Sequence, residues 1–429
     1  MKKFFATWLL LTVTTFLFAQ TKVDNIINAK EVERIERVLA SDEMKGRRVF
    51  SPEIDKAADF IAAEFKAAGL ETWNNSGTYR QEFSVINPRF LGASGTVNGV
   101  QVDVRNIAAV THQPIVTINE QSGYEKATIA AGANLFNEAQ TIVRSGKNYV
   151  VLVDTSHAKN FRWLSSFKRG TTKLTNTVIF VATTAQELST YAFEAKHEVV
   201  EQKLSNVVGI IPGKSKKEEY VIFSGHYDHI GIGKPVDGDS IFNGANDDAA
   251  GTTAVIMLAK YYKALNNNER TIIFAAFTAE ESGGYGAQYF SRQFEPAKVA
   301  AMFNIEMIGT ESKWGKNSAY ITGYEKTDMG AIMQKNLEGT GFTFHPDPYT
   351  DQNLFYRSDN ATLARLGVPA HTISTSKMDN EPNYHKVSDE VETLDMDNMA
   401  MIIKSIAMSA RSIVSGKDSP SRVKVEELR

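Results

Sequence analysis

The sequence predicts an α/β fold, a mostly parallel mixed sheet with helices on both faces, plus an inserted mostly β domain. Three observations carry this expectation. From about residue 206 onward, short apolar runs rich in β-branched residues alternate with segments of helical periodicity, the pattern of a largely parallel sheet covered on both faces. Between about 87 and 202 the texture changes to short β-type runs separated by Gly, Asn and Thr. The chain has 429 residues, 42% hydrophobic and 23% charged, enough for two domains of ordinary globular composition.

Taken in order, residues 1–20 begin with Lys2 and Lys3 and continue into the apolar run Ala6–Phe18. That run is too short to span a bilayer comfortably, and it reads as a secretory signal, 1–19, cleaved near Ala19. The expected location is secreted or periplasmic, with no stable membrane insertion. Ser51 and Pro52 read as an N-cap and a first helical residue. Ile54, Ala58, Ile61, Phe65 and Ala68 then recur at helical spacing until Gly69. Within 87–202, Val102–Val110, Tyr149–Val153 and Thr177–Ala182 read as strands. The domain interrupted by this insertion is expected over 20–86 and 203–415.

In the second half, strands are expected at Tyr220–Ser224, Thr271–Phe277, Val299–Ile305, Ser318–Thr322 and Ala370–Ser374. Helices are expected at Ala249–Leu265, Gly286–Phe294, Gly330–Leu337, Ser358–Leu366 (capped by Ser358 or Asp359) and Met396–Val414. Ala249–Leu265 is apolar almost all round, so it belongs in the centre. Gly416 stops the last helix, and 416–429 is expected to be a charged, frayed tail.

Charge and composition remove several functions. Lys and Arg total 47 against 50 Asp and Glu, a net −3, and removing Lys2 and Lys3 leaves 45 against 50, or −5. Nothing in that balance draws the chain to nucleic acid. With no cysteine, disulfides, thiolate catalysis and cysteine-held metals all drop out. Gly209 to Ser215 is one residue short of a phosphate loop, with Val208 where the first glycine belongs. His197 and Glu198 lack the second histidine of a zincin helix, and no serine nucleophile elbow is present.

The remaining chemistry gathers just past strand ends, where open α/β sheets build their sites. His226 and Asp228 follow one strand, Glu280 and Glu281 another, Glu306 closes a third, and His385 lies beyond a fourth. Asn246, Asp247 and Asp248 open the central helix. Two histidines with several carboxylates and no cysteine suit zinc or manganese. With His226, Asp247, Glu281, Glu306 and His385 as ligands, two divalent ions outweigh three carboxylates. That excess favours deprotonating a shared water. Glu280 adjoins a ligand and is free to move a proton. Asp228 is placed to accept the other N–H of His226. His229 is expected to be a non-ligand: outer partner, substrate-facing or exposed. His112, His157, His197, His345 and His371 read as scaffold or surface.

Five ordered segments then resemble the M28 family of zinc metallopeptidases. They are Ser224 to His229 (SGHYDH), Asn243 to Gly251 (NGANDDAAG), Glu280-Glu281, Asn304 to Gly309 (NIEMIG), and Tyr384-His385 with Ser388-Asp389-Glu390. The resemblance covers about 206–414 and also the early stretch from Leu39 to Gly69. It implies two zinc ions per chain: His226 and Glu306 on one, Glu281 and His385 on the other, with Asp247 bridging and a cis peptide to Asp248. It implies Glu280 as general base and then acid, and Tyr384 as a hydroxyl for the tetrahedral intermediate. It also implies peptide substrates and a protease-associated-like inserted domain. The family usually has Asp where this chain has Glu306, so that ligand's reach is altered. The implied activity is a secreted exopeptidase, most directly an aminopeptidase. Carboxypeptidase activity, glutaminyl cyclisation and a degenerate binding site are the alternatives on the same scaffold. The oligomeric state is left open.

Overall fold

The computed structural model describes residues 25–428, and the expected signal segment lies outside them. The described chain divides into two compact units. One runs up to Glu82 and resumes over Leu204–Arg429, and the other is Phe83–Lys203, against the expected 87–202.

The first unit opens with helices α1 (Ala29–Leu39) and α2 (Pro52–Ala68). Ile54, Ala58, Ile61 and Phe65 of α2 are buried, and Gly69 ends it in the left-handed region at φ 79°, as its spacing predicts. Ser51 occupies the cap position without a side-chain capping bond. The chain enters the second unit along β1 (Arg80–Val97).

That unit holds β2 (Ile107–Val110), β3 (Ile115–Asn119), β4 (Glu125–Ile129), helix α3 (Leu135–Arg144), β5 (Tyr149–Val153) and β6 (Val178–Ala182). β2, β6, β5 and β4 lie side by side in that order. Helix α3 is a feature the β-rich reading missed, although Leu135, Ala139 and Val143 are buried at helical spacing. The chain returns along β7 (Tyr191–Ile211), a long strand also missed, whose outer part alternates buried and exposed residues. The near phosphate loop starts at its end and leaves the strand after Ile211 for a bend over 214–215.

The remaining elements are β8 (Lys216–His226), the hairpin β9 (Gly231–Val236) and β10 (Asp239–Phe242), α4 (Ala250–Leu265), β11 (Arg270–Phe277) and α5 (Tyr285–Ser291). They continue as β12 (Val299–Ile305), β13 (Ser318–Ile321), α6 (Met329–Asn336), β14 (Thr343–Pro346), α7 (Asn360–Ala364), β15 (Ala370–Ser374), α8 (Met396–Ser409) and α9 (Arg411–Val414). In this unit the sheet order is β14-β13-β15-β12-β8-β11-β7. β8 pairs in parallel with β11 and β12, and β12 with β15; β7 and β13 supply the antiparallel pairings.

Val255, Ile256, Met257 and Leu258 of α4 are all fully buried, each contributing about 1.5–3 kcal/mol relative to exposure. α4 and α8 share one core cluster with α2, while Phe290 of α5 and Leu363 of α7 belong to another. The expected last helix is broken at Ala410 into α8 and α9. The tail is docked rather than frayed. Val423 is 4% exposed in the second cluster, and Arg422 donates to the carbonyls of Val299 and Pro296 at 2.7 and 2.8 Å. These anchors outweigh the tail's charge, which alone suggested disorder. No helix among the described residues is long and apolar enough to cross a membrane.

Candidate metal centre

The parallel strands end together, and the expected side chains meet at that edge. His226 is the last residue of β8, Glu280 and Glu281 lie three and four residues beyond β11, and Glu306 directly follows β12. Asp247 lies in the five-residue turn Ala245–Ala249 ahead of α4, with non-helical backbone angles, so it precedes the helix rather than opening it. The Asp247–Asp248 peptide is cis, as the resemblance implies.

Two donor groups share Asp247. His226 Nε2 is 3.2 Å from Asp247 Oδ1, and donor atoms of His226, Asp247 and Glu306 all lie within 4.8 Å of one another. On the other side, His385 Nε2 is 3.2 Å from Asp247 Oδ2 and 3.1 Å from Glu281 Oε1. His226 Nε2, Glu281 Oε1 and Glu306 Oε2 are buried without a hydrogen-bond partner among the described residues. Such atoms are costly unless something else satisfies them, and a cation accepting their lone pairs does so. The residues therefore fit a pair of nitrogen- and oxygen-held divalent ions.

The charges are strongly perturbed. Burial opposes ionisation of Glu281, but His229 and His385 hold it down at about 2. Burial likewise opposes Asp247, and His226 and His385 outweigh it and keep the carboxylate below its usual range. Burial also disfavours protonating His385, yet Asp247 and Glu281 push it up to about 10. Glu306 is raised to about 6, chiefly by burial. Burial also raises Glu280, reinforced by the Glu306 and Asp359 carboxyls.

The expected partner of His226 is corrected. Asp228 Oδ1 lies 3.8 Å from His226 Nδ1 and accepts the Glu280 backbone N–H at 3.0 Å instead. The chain turns back after β8, so the Asp228 main-chain carbonyl takes the place expected for its carboxylate, 3.0 Å from Nδ1. A carbonyl has no proton to give, so Nδ1 carries the hydrogen and Nε2 faces Asp247 with its lone pair. His229 is not exposed: it is 2% accessible and its Nδ1 stands 3.0 Å from Glu281 Oε1. The other five histidines stay outside the site. His371, for example, is held by the Thr322 carbonyl and the Thr327 hydroxyl.

Three positioning residues had no assigned role in the sequence reading. Asp248 Oδ2 accepts the N–H of His226 at 3.0 Å, and its Oδ1 accepts those of Gly251 and Met307 at 2.9 and 3.1 Å. One carboxylate thereby ties together the segments carrying His226, Asp247 and Glu306. Asp389 accepts the N–H of Asn246 and of Asp247 at 2.8 and 3.0 Å. Arg47, fully buried, donates to the carbonyls of Leu39, Tyr227, Asn243 and Gly244 at 2.6–2.9 Å. Buried Arg and Asp are rare unless paired, but their partners are distant in sequence.

The centre opens into a cleft lined in part by Met307, Tyr320, Leu354, Arg357, Met378 and Tyr384. Tyr384 stacks on His385, ring centroids 4.0 Å apart, and burial raises its hydroxyl to about 12. It therefore stays a donor at neutral pH.

Residues 206–410 match the model of peptidase family M28. A probable leucine aminopeptidase of Trichophyton verrucosum is 29% identical over 204 residues, 45% of this chain and 53% of that protein. A probable zinc metalloprotease of Pyrenophora teres f. teres is 35% identical over 108 residues, 25% of this chain and 23% of that protein. The chain thus spans about half the length of the first relative and a quarter of the second. Among solved structures, the aminopeptidase from Aneurinibacillus sp. strain AM-1 superposes with a TM-score of 0.54 at 17% identity, covering 95% of this chain and 98% of that one. The zinc aminopeptidase BSAP from Bacillus subtilis gives 0.55 at 16%, covering 92% and 97%. At these identities the two structures share the fold.

Proposed function

Because residues 206–410 belong to peptidase family M28, we propose that this chain is a two-zinc exopeptidase that removes N-terminal residues from peptides. The observation that carries the reading is the pair of donor groups hinged on Asp247, beside a Glu280 that is not needed as a ligand. When bound, the zinc pair supplies an activated water and polarises the scissile carbonyl.

The chain's own residues do the rest. Glu280 takes a proton from the attacking water and delivers it to the leaving amine. Its buried position among other carboxyls favours holding that proton between the two transfers. Tyr384 donates its hydroxyl hydrogen toward the developing oxyanion. Met307, Leu354 and Met378 give the cleft apolar wall for a substrate side chain. The N-terminal segment supports export to a secreted or periplasmic location.

A second reading is favoured by Arg357, a cation lining the same cleft, which is suited to a free carboxylate. Mass-spectrometric profiling of peptides with either terminus blocked separates the two. The aminopeptidase reading expects cleavage to stop when the amino end is acetylated and to persist when the carboxyl end is amidated. The reverse pattern overturns it in favour of a carboxypeptidase.

A further inference from the structure

We infer that His229 is a sixth protein ligand, joining Glu281, His385 and Asp247 on one ion, so that the two metal positions are unequal. The inference rests on the two-zinc reading and adds a residue outside its ligand set.

His229 Nδ1 lies 3.0 Å from Glu281 Oε1 and 4.0 Å from Asp247 Oδ2. His385 Nε2 approaches the same two oxygens at 3.1 and 3.2 Å. With zinc–donor bonds of roughly 2.0–2.2 Å, two donors on one ion stand at most about 4.2 Å apart, and all four separations fall within that limit. Donor atoms of His229, Asp247 and Glu281 form a three-residue cluster on their own.

His229 Nδ1 and Glu281 Oε1 stand 3.0 Å apart, and both atoms, with His229 Nε2, are buried outside hydrogen-bonding geometry among the described residues. His226 Nε2, at the other position, shows the same signature. Two donor atoms this close, neither satisfied by the surrounding protein, are placed to hold a common third body. The imidazole packs closely on Gly244, where a Cβ would stand 2.5 Å from its ring. The position at Glu281 therefore offers two imidazoles and two carboxylates. The position at Glu306 offers one imidazole and two carboxylates and stays the more open. The fuller donor set binds its ion more tightly, leaving the ion at Glu306 the more exchangeable.

The test is zinc K-edge absorption of the native chain loaded with two equivalents of zinc, alongside His229→Gln. Three imidazoles shared by two ions are expected in the native chain and two in the variant. Competition with a chelator should show one binding step weakened more than about a hundredfold in the variant, beyond what loss of an outer partner costs. Two imidazoles over two ions in the native chain overturn the inference whether or not the variant folds, and leave the two-zinc reading standing. A native chain that binds no zinc overturns both.

Discussion

His226 Nε2 lies 3.2 Å from Oδ1 of Asp247, at the end of β8 and in the turn before α4, 21 positions apart in the chain. His226 Nε2 is buried without a hydrogen-bond partner among the described residues, and the second oxygen of Asp247 stands 3.2 Å from His385 Nε2. Asp247 thus stands between the two donor groups. Asp247→Ala should release both ions and lower kcat/KM by at least about a thousandfold, with metal analysis and a peptide assay as the checks. Retention of both ions would contradict the bridging role.

Glu280 is the proton carrier in this account. Glu280→Gln preserves shape and hydrogen bonding but cannot accept the proton. The variant should fold, keep two zinc ions and lose about a hundredfold to ten-thousandfold in kcat, with KM little changed. Parental kcat would remove Glu280 from the reaction.

Asp389 acts one step further out, through the N–H groups of Asn246 and Asp247. Asp389→Ala should weaken zinc about tenfold to a hundredfold, measured by chelator competition. Asp389→Asn keeps one acceptor oxygen and should recover part of that loss.

Arg47 holds four main-chain carbonyls from three parts of the chain, two of them beside His226 and Asp247. Arg47→Met should cost about 3–5 kcal/mol of folding stability, read from denaturant melts. A loss below about 1 kcal/mol would show that these carbonyls find other donors.

The metal-free protein should lose stability as pH rises. Burial raises Glu306 to about 6 and Asp359 to about 8, and nearby carboxylates raise His385 to about 10 against its burial. Each binds more protons folded than unfolded above its ordinary pKa, so its contribution is present at low pH and fades as pH climbs through the raised value. Asp247 and Glu281 are lowered and act in the opposite sense, but only in strongly acidic solution. With EDTA, the melting temperature should therefore fall between about pH 5 and 9. With zinc the fall should flatten or reverse, because the ions need the same groups deprotonated. A metal-free melting temperature that rises over this range would contradict the assignment.

Much of this was legible because the informative residues sit where local pattern is strong. β12 and β15 have their expected bounds, and His226 ends, while Glu306 and the Glu280-Glu281 pair follow, strands that periodicity alone marks. The turn chemistry around Asp247 came from the family resemblance, since nothing in Asn246-Asp247-Asp248 reports its backbone. The long strands β1 and β7 were missed because charged residues break up their apolar pattern. Asp228 was given the wrong atom, as sequence spacing cannot tell a side-chain oxygen from a carbonyl that folds back two residues later. That His229 is buried rather than exposed was not legible, because its surroundings include Gly244 and Glu281, which meet it only after the sheet has assembled. Arg47 spans nearly 200 positions to reach Asn243 and Gly244, and no local signal marks such a partner.

The proposed centre stands or falls with two ions sharing Asp247. Anomalous diffraction from crystals grown with zinc, recorded on both sides of the zinc edge, tests it most directly. Two peaks are expected to flank the Asp247 carboxylate, one against His226 and Glu306 and the other against Glu281 and His385. No peak at this carboxylate, or ions bound only at other places, would contradict it.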